Sequence, residues 1–148
     1  MRAFKVFTIK NGTVIDHIPA GQAIRLIRML KLIESGNFVT MGANFKSKKR
    51  AKKDLIKIED KELTPEDVNQ VALIAPEATI NIIRDFKIVK KYTAELPEVF
   101  ENIGKCPNPK CITNMDPEQP KFYPLFKNNE MQVKCHYCEK LFSPDEIK

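Results

Sequence analysis

Apolar and polar residues alternate through "FKVFTI" and "GTVIDHI" near the start of the chain, with Asn11-Gly12 between them. Apolar and β-branched residues at a period of two predict strands, and Asn-Gly predicts a turn or bulge. The period then changes. In "AIRLIRMLKLIESG" the residues Ala23, Leu26, Ile27, Leu30 and Ile33 recur three or four apart, which predicts a helix with Gly36 as its stop. "NFVTMGANF" and "KDLIKIE" predict two further strands flanking "KSKKRAKK", which becomes a hairpin tip. A second helix is announced at "LTPEDVNQVALIAP". Thr64 can accept from the free N–H groups of its first turn, and Pro65 has no donor to leave unpaired there. Glu66 and Asp67 place negative charge at the positive end of the helix dipole, Leu63 and Val68 occupy the two positions of a hydrophobic staple, and Pro76 ends the run. "ATINIIRDFKIVKKY" predicts one last long strand.

The order βαββαβ suits a four-stranded antiparallel sheet with both helices on one face, so the fold class is α+β with a ferredoxin-like N-terminal domain. The other face of such a sheet is left for a ligand or a second subunit, and a dimer is expected. Periodicity fades through "AELPEVFENIGK", and Pro97 marks the break, giving domains 1–96 and 97–148. Five of the ten prolines then fall within "CPNPKCITNMDPEQPKFYP". A segment this short has little apolar surface to bury and needs a staple. Strands at "KFYPLF" and "EMQVKC" make it a small all-β domain.

Composition changes this picture little. The chain has 148 residues, 43% of them apolar and 30% charged, as expected of a soluble protein. No stretch approaches the ~20 apolar residues that span a bilayer, and the first residues lack the apolar core of a secretion signal. A cytoplasmic protein without membrane contact is expected. The net charge of +6 is concentrated in Lys46, Lys48, Lys49, Arg50, Lys52 and Lys53, and the rest of the chain is balanced. That run contains no aromatic residue to stack on bases, and a charged hairpin tip is ordinarily solvated, so no nucleic-acid partner is expected. Five glycines and two histidines supply no phosphate loop and no nucleophile–base pair.

The four cysteines carry the chemistry. Cys106, Cys111, Cys135 and Cys138 follow the spacing C-x4-C-x23-C-x2-C. Two close pairs allow two tight turns to offer two thiolates each, and four soft ligands in a tetrahedron suit one structural zinc ion per chain. Two disulfides are the alternative, disfavoured inside a cell; four unrelated thiols rarely cluster in this way. A catalytic zinc site would keep one position open and ordinarily use histidine, whereas His136 sits between paired cysteines and points outward from the turn. The site is expected to be closed.

With these elements in place, the segments "GTVIDHIPAG", "RAKKDLIKIED", "VALIAPEATIN", "KIVKKY", "LPEVFENIGKCPNPKCI" and "VKCHYCEK", in this order and over nearly the whole chain, resemble the regulatory chains of aspartate carbamoyltransferase. The resemblance implies a non-catalytic subunit in pyrimidine biosynthesis. Its N-terminal domain would bind nucleoside triphosphate effectors, CTP and ATP with UTP as a third candidate, CTP typically inhibiting and ATP typically activating. Its zinc domain would dock on the catalytic chain, and regulatory homodimers would bridge catalytic trimers in a holoenzyme of two trimers and three dimers.

Matched position by position, the resemblance implies an effector site of Val6, Ile9, Val14, Asp16, His17, Lys53, Lys57, Asn81, Ile83, Ile88 and Lys91. Lysine suits phosphate and ribose oxygens because it offers a compact charge with three donors. The family match also implies partner contacts at Asn108, Glu139 and Lys140, with Lys110 where an asparagine is expected. Phe86 stands where the family is expected to have tyrosine, and Phe7-Thr8 departs from a polar-then-small pair. These departures bear on base selectivity more than on binding.

Overall fold

The structure, a computed structural model, describes residues 9–45, 52–116, 118–128 and 130–147. It divides the chain into two compact units, Met1–Glu95 and Leu96–Lys148.

The first unit is built on an antiparallel sheet of β1 (Gly12–Pro19), β2 (Val39–Phe45), β3 (Lys53–Glu59), β4 (Thr79–Arg84) and β5 (Lys87–Thr93), in the order β2-β3-β1-β4-β5. Its first four strands keep the ferredoxin-like order, with α1 (Ala23–Met29) after β1 and α2 (Pro65–Ile74) after β3. The fifth strand corrects the sequence expectation. "ATINIIRDFKIVKKY" is two strands, because Asp85 and Phe86 take φ of 50° and 66° and turn the chain in a two-residue hairpin. Positive φ at both central positions matches the right-handed twist of the flanking strands. The turn is held from outside, by Phe86 N–H donating to the Lys10 carbonyl (2.9 Å) and Asp85 N–H to Asn11 Oδ1 (3.2 Å).

Registered rows show which face is which. Met41, Ile56, Ile15, Ile80 and Tyr92 pair in sequence across all five strands. Ile15, Ile56, Ile58 and Ile80 in this layer are wholly buried, as are Leu26 of α1 and Val71 of α2. Helix α2 begins as its sequence predicts. Asp67 N–H donates to Thr64 Oγ1 and Thr64 N–H to Asp67 Oδ2, both at 3.1 Å, a reciprocal capping box. Helix α1 ends earlier than its pattern suggests. Lys31 (φ 54°) makes the left-handed turn that ends it, with Leu32 N–H donating to Ile27 O and Lys31 N–H to Arg28 O, and Gly36 (φ 79°) falls in a later turn. This Schellman ending shifts the phase by one residue. Leu32 becomes wholly buried and Ile33, expected on the apolar stripe, is 69% exposed.

The second unit is a four-stranded antiparallel sheet, β6 (Phe100–Glu101), β7 (Lys121–Lys127), β8 (Glu130–Cys135) and β9 (Leu141–Phe142), with the short helix α3 (Ile112–Met115) between β6 and β7. Part of the stretch expected to be a linker belongs to this sheet. Phe100 pairs with Phe122 on β7, and both side chains are buried.

Candidate functional site

Opposite the isoleucine layer, a second row crosses the first sheet: Thr40, Lys57, Val14, Asn81 and Lys91 are successive partners on β2, β3, β1, β4 and β5. Directly paired residues share a face, so four of the sequence-derived site residues stand side by side by register alone. Asp16, two positions on from Val14, shares that face and pairs with Thr79. Ile83 and Ile88 pair with each other at the other end, where Gly12 leaves β1 without a side chain.

A bulge shapes the polar end. Ile15 pairs with Ile56 and Ile18 with Asp54, so Asp16 and His17 together oppose Leu55 alone. His17 takes φ 59°; its N–H donates to Asp16 Oδ1 (2.8 Å), and its Nδ1 lies 3.1 Å from Thr79 Oγ1. Lys53 Nζ reaches Asp16 Oδ1 at 2.9 Å. Lys57 is 8% exposed and Asn81 7%, and Asn81 Nδ2 donates to the Val14 carbonyl at 3.3 Å. Burial lowers the Lys57 pKa from its ordinary value, because a charged amine loses hydration there. Lys91 and Ile88 are exposed, and Ile9 is buried just ahead of β1. Val6, with Phe7 and Thr8, lies outside the described residues, as do residues 46–51 of the basic segment. Thr40 and Thr79 belong to this face and were not singled out from sequence; pairing register reveals them, and residue type does not.

In the second unit the four cysteine sulfurs lie within 4.8 Å of one another. Cys106 Sγ and Cys138 Sγ are 3.7 Å apart, as are Cys111 Sγ and Cys135 Sγ. A tetrahedral four-thiolate site with metal–sulfur bonds of about 2.3 Å has sulfur–sulfur edges of about 3.8 Å, and a disulfide would need about 2.05 Å. The donor set therefore fits one tetrahedral metal ion, closed by protein ligands. Burial pushes the Cys106 and Cys135 thiols up. Burial acts on the other two as well, but hydrogen bonds outweigh it. Thr113 brings Cys111 down to about 7, and the Lys140 N–H and the Asn108 side chain lower Cys138.

Asn108 is thus turned into the first knuckle, where its Oδ1 also accepts the Lys110 N–H (3.1 Å). Lys110, Glu139 and Lys140 are exposed around the two knuckles, and Glu139 is fixed at φ 62° with its N–H on the Cys135 carbonyl. His136 is exposed and its Nδ1 is 2.7 Å from Tyr123 Oη, away from the sulfurs.

Two family models cover almost the whole chain. The allosteric domain of the aspartate carbamoyltransferase regulatory chain matches residues 4–95, and the metal binding domain of the same family matches residues 98–148. The chain belongs to the aspartate carbamoyltransferase regulatory-chain family. Relatives bearing that name include those of Pyrococcus horikoshii (49% identical, spanning 99% of this chain and 97% of the relative) and Pyrococcus furiosus (48%, with the same spans). That of Chromobacterium violaceum is 46% identical over 96% of this chain and 93% of its own length. The regulatory chain is a non-catalytic subunit, and a catalytic-chain partner follows from the family. The family's metal-binding domain coincides with the cysteine unit, and its allosteric domain with the five-stranded unit. Among the described residues no helix is long and apolar enough to cross a membrane.

Proposed function

We propose that the open face of the five-stranded sheet binds nucleoside triphosphate effectors, CTP and ATP with UTP as a third, and that this cytoplasmic regulatory chain passes their binding to catalytic trimers through a zinc-holding domain. The observation that carries the reading is the transverse row Lys57, Val14, Asn81 and Lys91. It brings two lysines from strands far apart in sequence onto one face, with the Asp16–Lys53 pair at one end and Ile83 and Ile88 at the other. From Gly12 to Asp16 the face extends about 13 Å at about 3.3 Å per residue. A base can lie on the apolar end near Ile9, the ribose over Lys57 and Asn81, and the phosphates toward His17, Lys53 and Lys91. Lys57, short of hydration, gains most from an incoming anion. Phe86 offers no hydroxyl, which leaves base selectivity to backbone groups.

Zinc is the metal that best suits a closed set of four thiolates. With both knuckles fixed by the metal, Asn108, Lys110, Glu139 and Lys140 are presented to the catalytic chain with little ordering loss. A regulatory homodimer is supported by the two sheet edges. β5 carries Lys87, Lys90 and Lys91, like charges that oppose self-pairing, whereas β2 has no charged residue from Val39 to Phe45. Phe38, just before β2, and Met41 on it are exposed. Transmission requires the effector to bind two states of the holoenzyme with different affinities.

The test is reconstitution with the catalytic chain, followed by carbamoyl-transfer assays with CTP, UTP and ATP. Lys57→Ala and Lys91→Ala should each raise the effector concentration needed by at least about tenfold, the loss expected for one charge-assisted contact, with assembly intact. An unchanged effector response in both variants rules out this face as the site.

A further inference from the structure

Asp54 is a wholly different kind of acid from those on the effector face. It lies on β3 at the same parity as Ile56 and Ile58, so its side chain is on the helix side of the sheet, and it is 2% exposed. Both carboxylate oxygens are occupied by backbone donors from two other elements. Oδ2 accepts from Gly21 N–H (2.9 Å) and Ala23 N–H (3.2 Å), and Oδ1 accepts from Asn44 N–H (3.1 Å). Helix α1 has no side-chain cap of its own and no acid in its first turn. Asp54 supplies both from a neighbouring strand, an acceptor for free N–H groups and a negative charge at the positive end of the helix.

The same carboxylate stands between two irregularities. On one side, Asp16 and His17 of β1 oppose Leu55. On the other, Gly42 pairs with Leu55 and Phe45 with Lys53, so Ala43 and Asn44 of β2 together oppose Asp54. Asn44 is the residue at φ 62°, and its N–H is the one Asp54 holds. Bulges can move along a strand unless something pins them, and a slip of one residue turns every following side chain to the opposite face. The bulges lie on β1 and β2, so what a slip there would break is the meeting of Asp16 with Lys53. Lys53 is adjacent to Asp54, on the opposite face, and pairs with Pro19 and Phe45, just beyond the two bulges.

We propose that Asp54 is a positioning residue for the anion-binding end of the effector face: by fixing the β2 bulge and the turn from β1 into α1, it keeps the strands on either side of Lys53 in register, so that Lys53 meets Asp16. This rests on the effector reading above and adds a residue that contacts no effector. Lys53 is placed by a carboxylate on the other side of the sheet, and only the phosphate half of a ligand depends on it.

The experiment is calorimetric titration of the intact chain with CTP and with cytidine. Asp54→Asn keeps the side-chain shape, but presents an amide where the carboxylate received three N–H groups. The expected result is a CTP affinity at least tenfold weaker, with cytidine affinity within twofold of the wild type. Equal weakening of both ligands would make Asp54 a general structural residue and overturn the proposal, as would no change in either. Should Asp54→Asn fail to fold, hydrogen exchange of the wild type decides. The Gly21, Ala23 and Asn44 amides should gain protection together, several-fold, on adding CTP but not cytidine; no response of these three amides would overturn the proposal. A wild type that binds no CTP would instead refute the effector reading itself, before any variant is made.

Discussion

The interior of the five-stranded unit comes from β1, α1, the turn after it, β3, α2 and β4, with Ile15, Ile18, Leu26, Leu32, Ile56, Ile58, Leu73 and Ile80 all wholly or almost wholly buried. Each such side chain contributes about 1.5–3 kcal/mol by leaving water. The cysteine unit buries eight apolar residues among those described, and three of the eight are cysteines. Phe100, Ile103, Phe122, Val133 and Ile147 remain as its hydrocarbon core, too few to hold about fifty residues against chain entropy. One unit has a fold that stands apart from its proposed site, so its open face is free to carry a desolvated lysine, Lys57, and a left-handed residue, His17. In the other, the site is what makes the fold.

The sharpest way to break this contrast is to take the metal away. Chelation, or Cys111→Ser, should unfold Leu96–Lys148 and abolish association with the catalytic chain while Met1–Glu95 stays folded. Metal binding by small zinc-dependent domains is worth about 10–16 kcal/mol, far beyond what five apolar side chains can replace. Hydrogen exchange read strand by strand checks it: the β7–β8 amides should lose protection and those of β1, β3 and β4 keep it. Protection retained in β7 and β8 would show a cysteine unit that needs no metal.

The same contrast explains what was legible in the chain. The cysteine spacing declared the metal centre because ligand chemistry is carried by residue type, and Thr64-Pro65-Glu66-Asp67 declared the start of α2 because a cap is local. The end of α1 was not legible. Lys31 takes a left-handed conformation that nothing in its own type demands, and Leu32 rewards it only once a core exists to receive it. The β4–β5 turn was hidden for a similar reason: Asp85-Phe86 lacks the glycine or asparagine that marks such hairpins, and its bonds to Lys10 and Asn11 come from some seventy-five residues away. The proposed effector face was recognisable as a family pattern, but the row from Thr40 to Lys91 exists only in the pairing register. Asp54 left one visible trace, an acid at the inward parity of "KDLIKIE", where an isoleucine would be expected.

A smaller effect sharpens the comparison from the side of the sheet unit. Thr64→Ala removes one half of the capping box: the Asp67 N–H loses its Thr64 Oγ1 acceptor, while the backbone N–H at position 64 still donates to the Asp67 carboxylate. The expected loss is about 1 kcal/mol, read as a lower denaturant midpoint for the β1–β5 unit. The metal content and the exchange of β7 and β8 should not move, since α2 supplies no ligand. A change in metal retention would mean that the two units are not held by separate means.

The smallest effect tests whether the sheet unit tolerates strain where its ligand is proposed to sit. A residue with a Cβ in the left-handed region loses about 1–2 kcal/mol relative to the right-handed one. Phe86 at φ 66° is such a residue, and its ring is 63% exposed, so little burial offsets the strain. Phe86→Gly should therefore stabilise the unit. The gain is reduced by the extra freedom of glycine in the unfolded chain, about 0.5–1 kcal/mol, leaving a net rise of about 0.5–1 kcal/mol in a denaturant titration. The same variant removes the aromatic surface beside Ile88 at the apolar end of the face, so affinity for both CTP and cytidine should fall together. That is the opposite signature to Asp54→Asn, which separates the two ligands. A variant that gains stability and keeps full affinity for both would place the base away from the β4–β5 turn, and a variant that loses stability would mean the Phe86 ring contributes packing that outweighs the strain of its backbone.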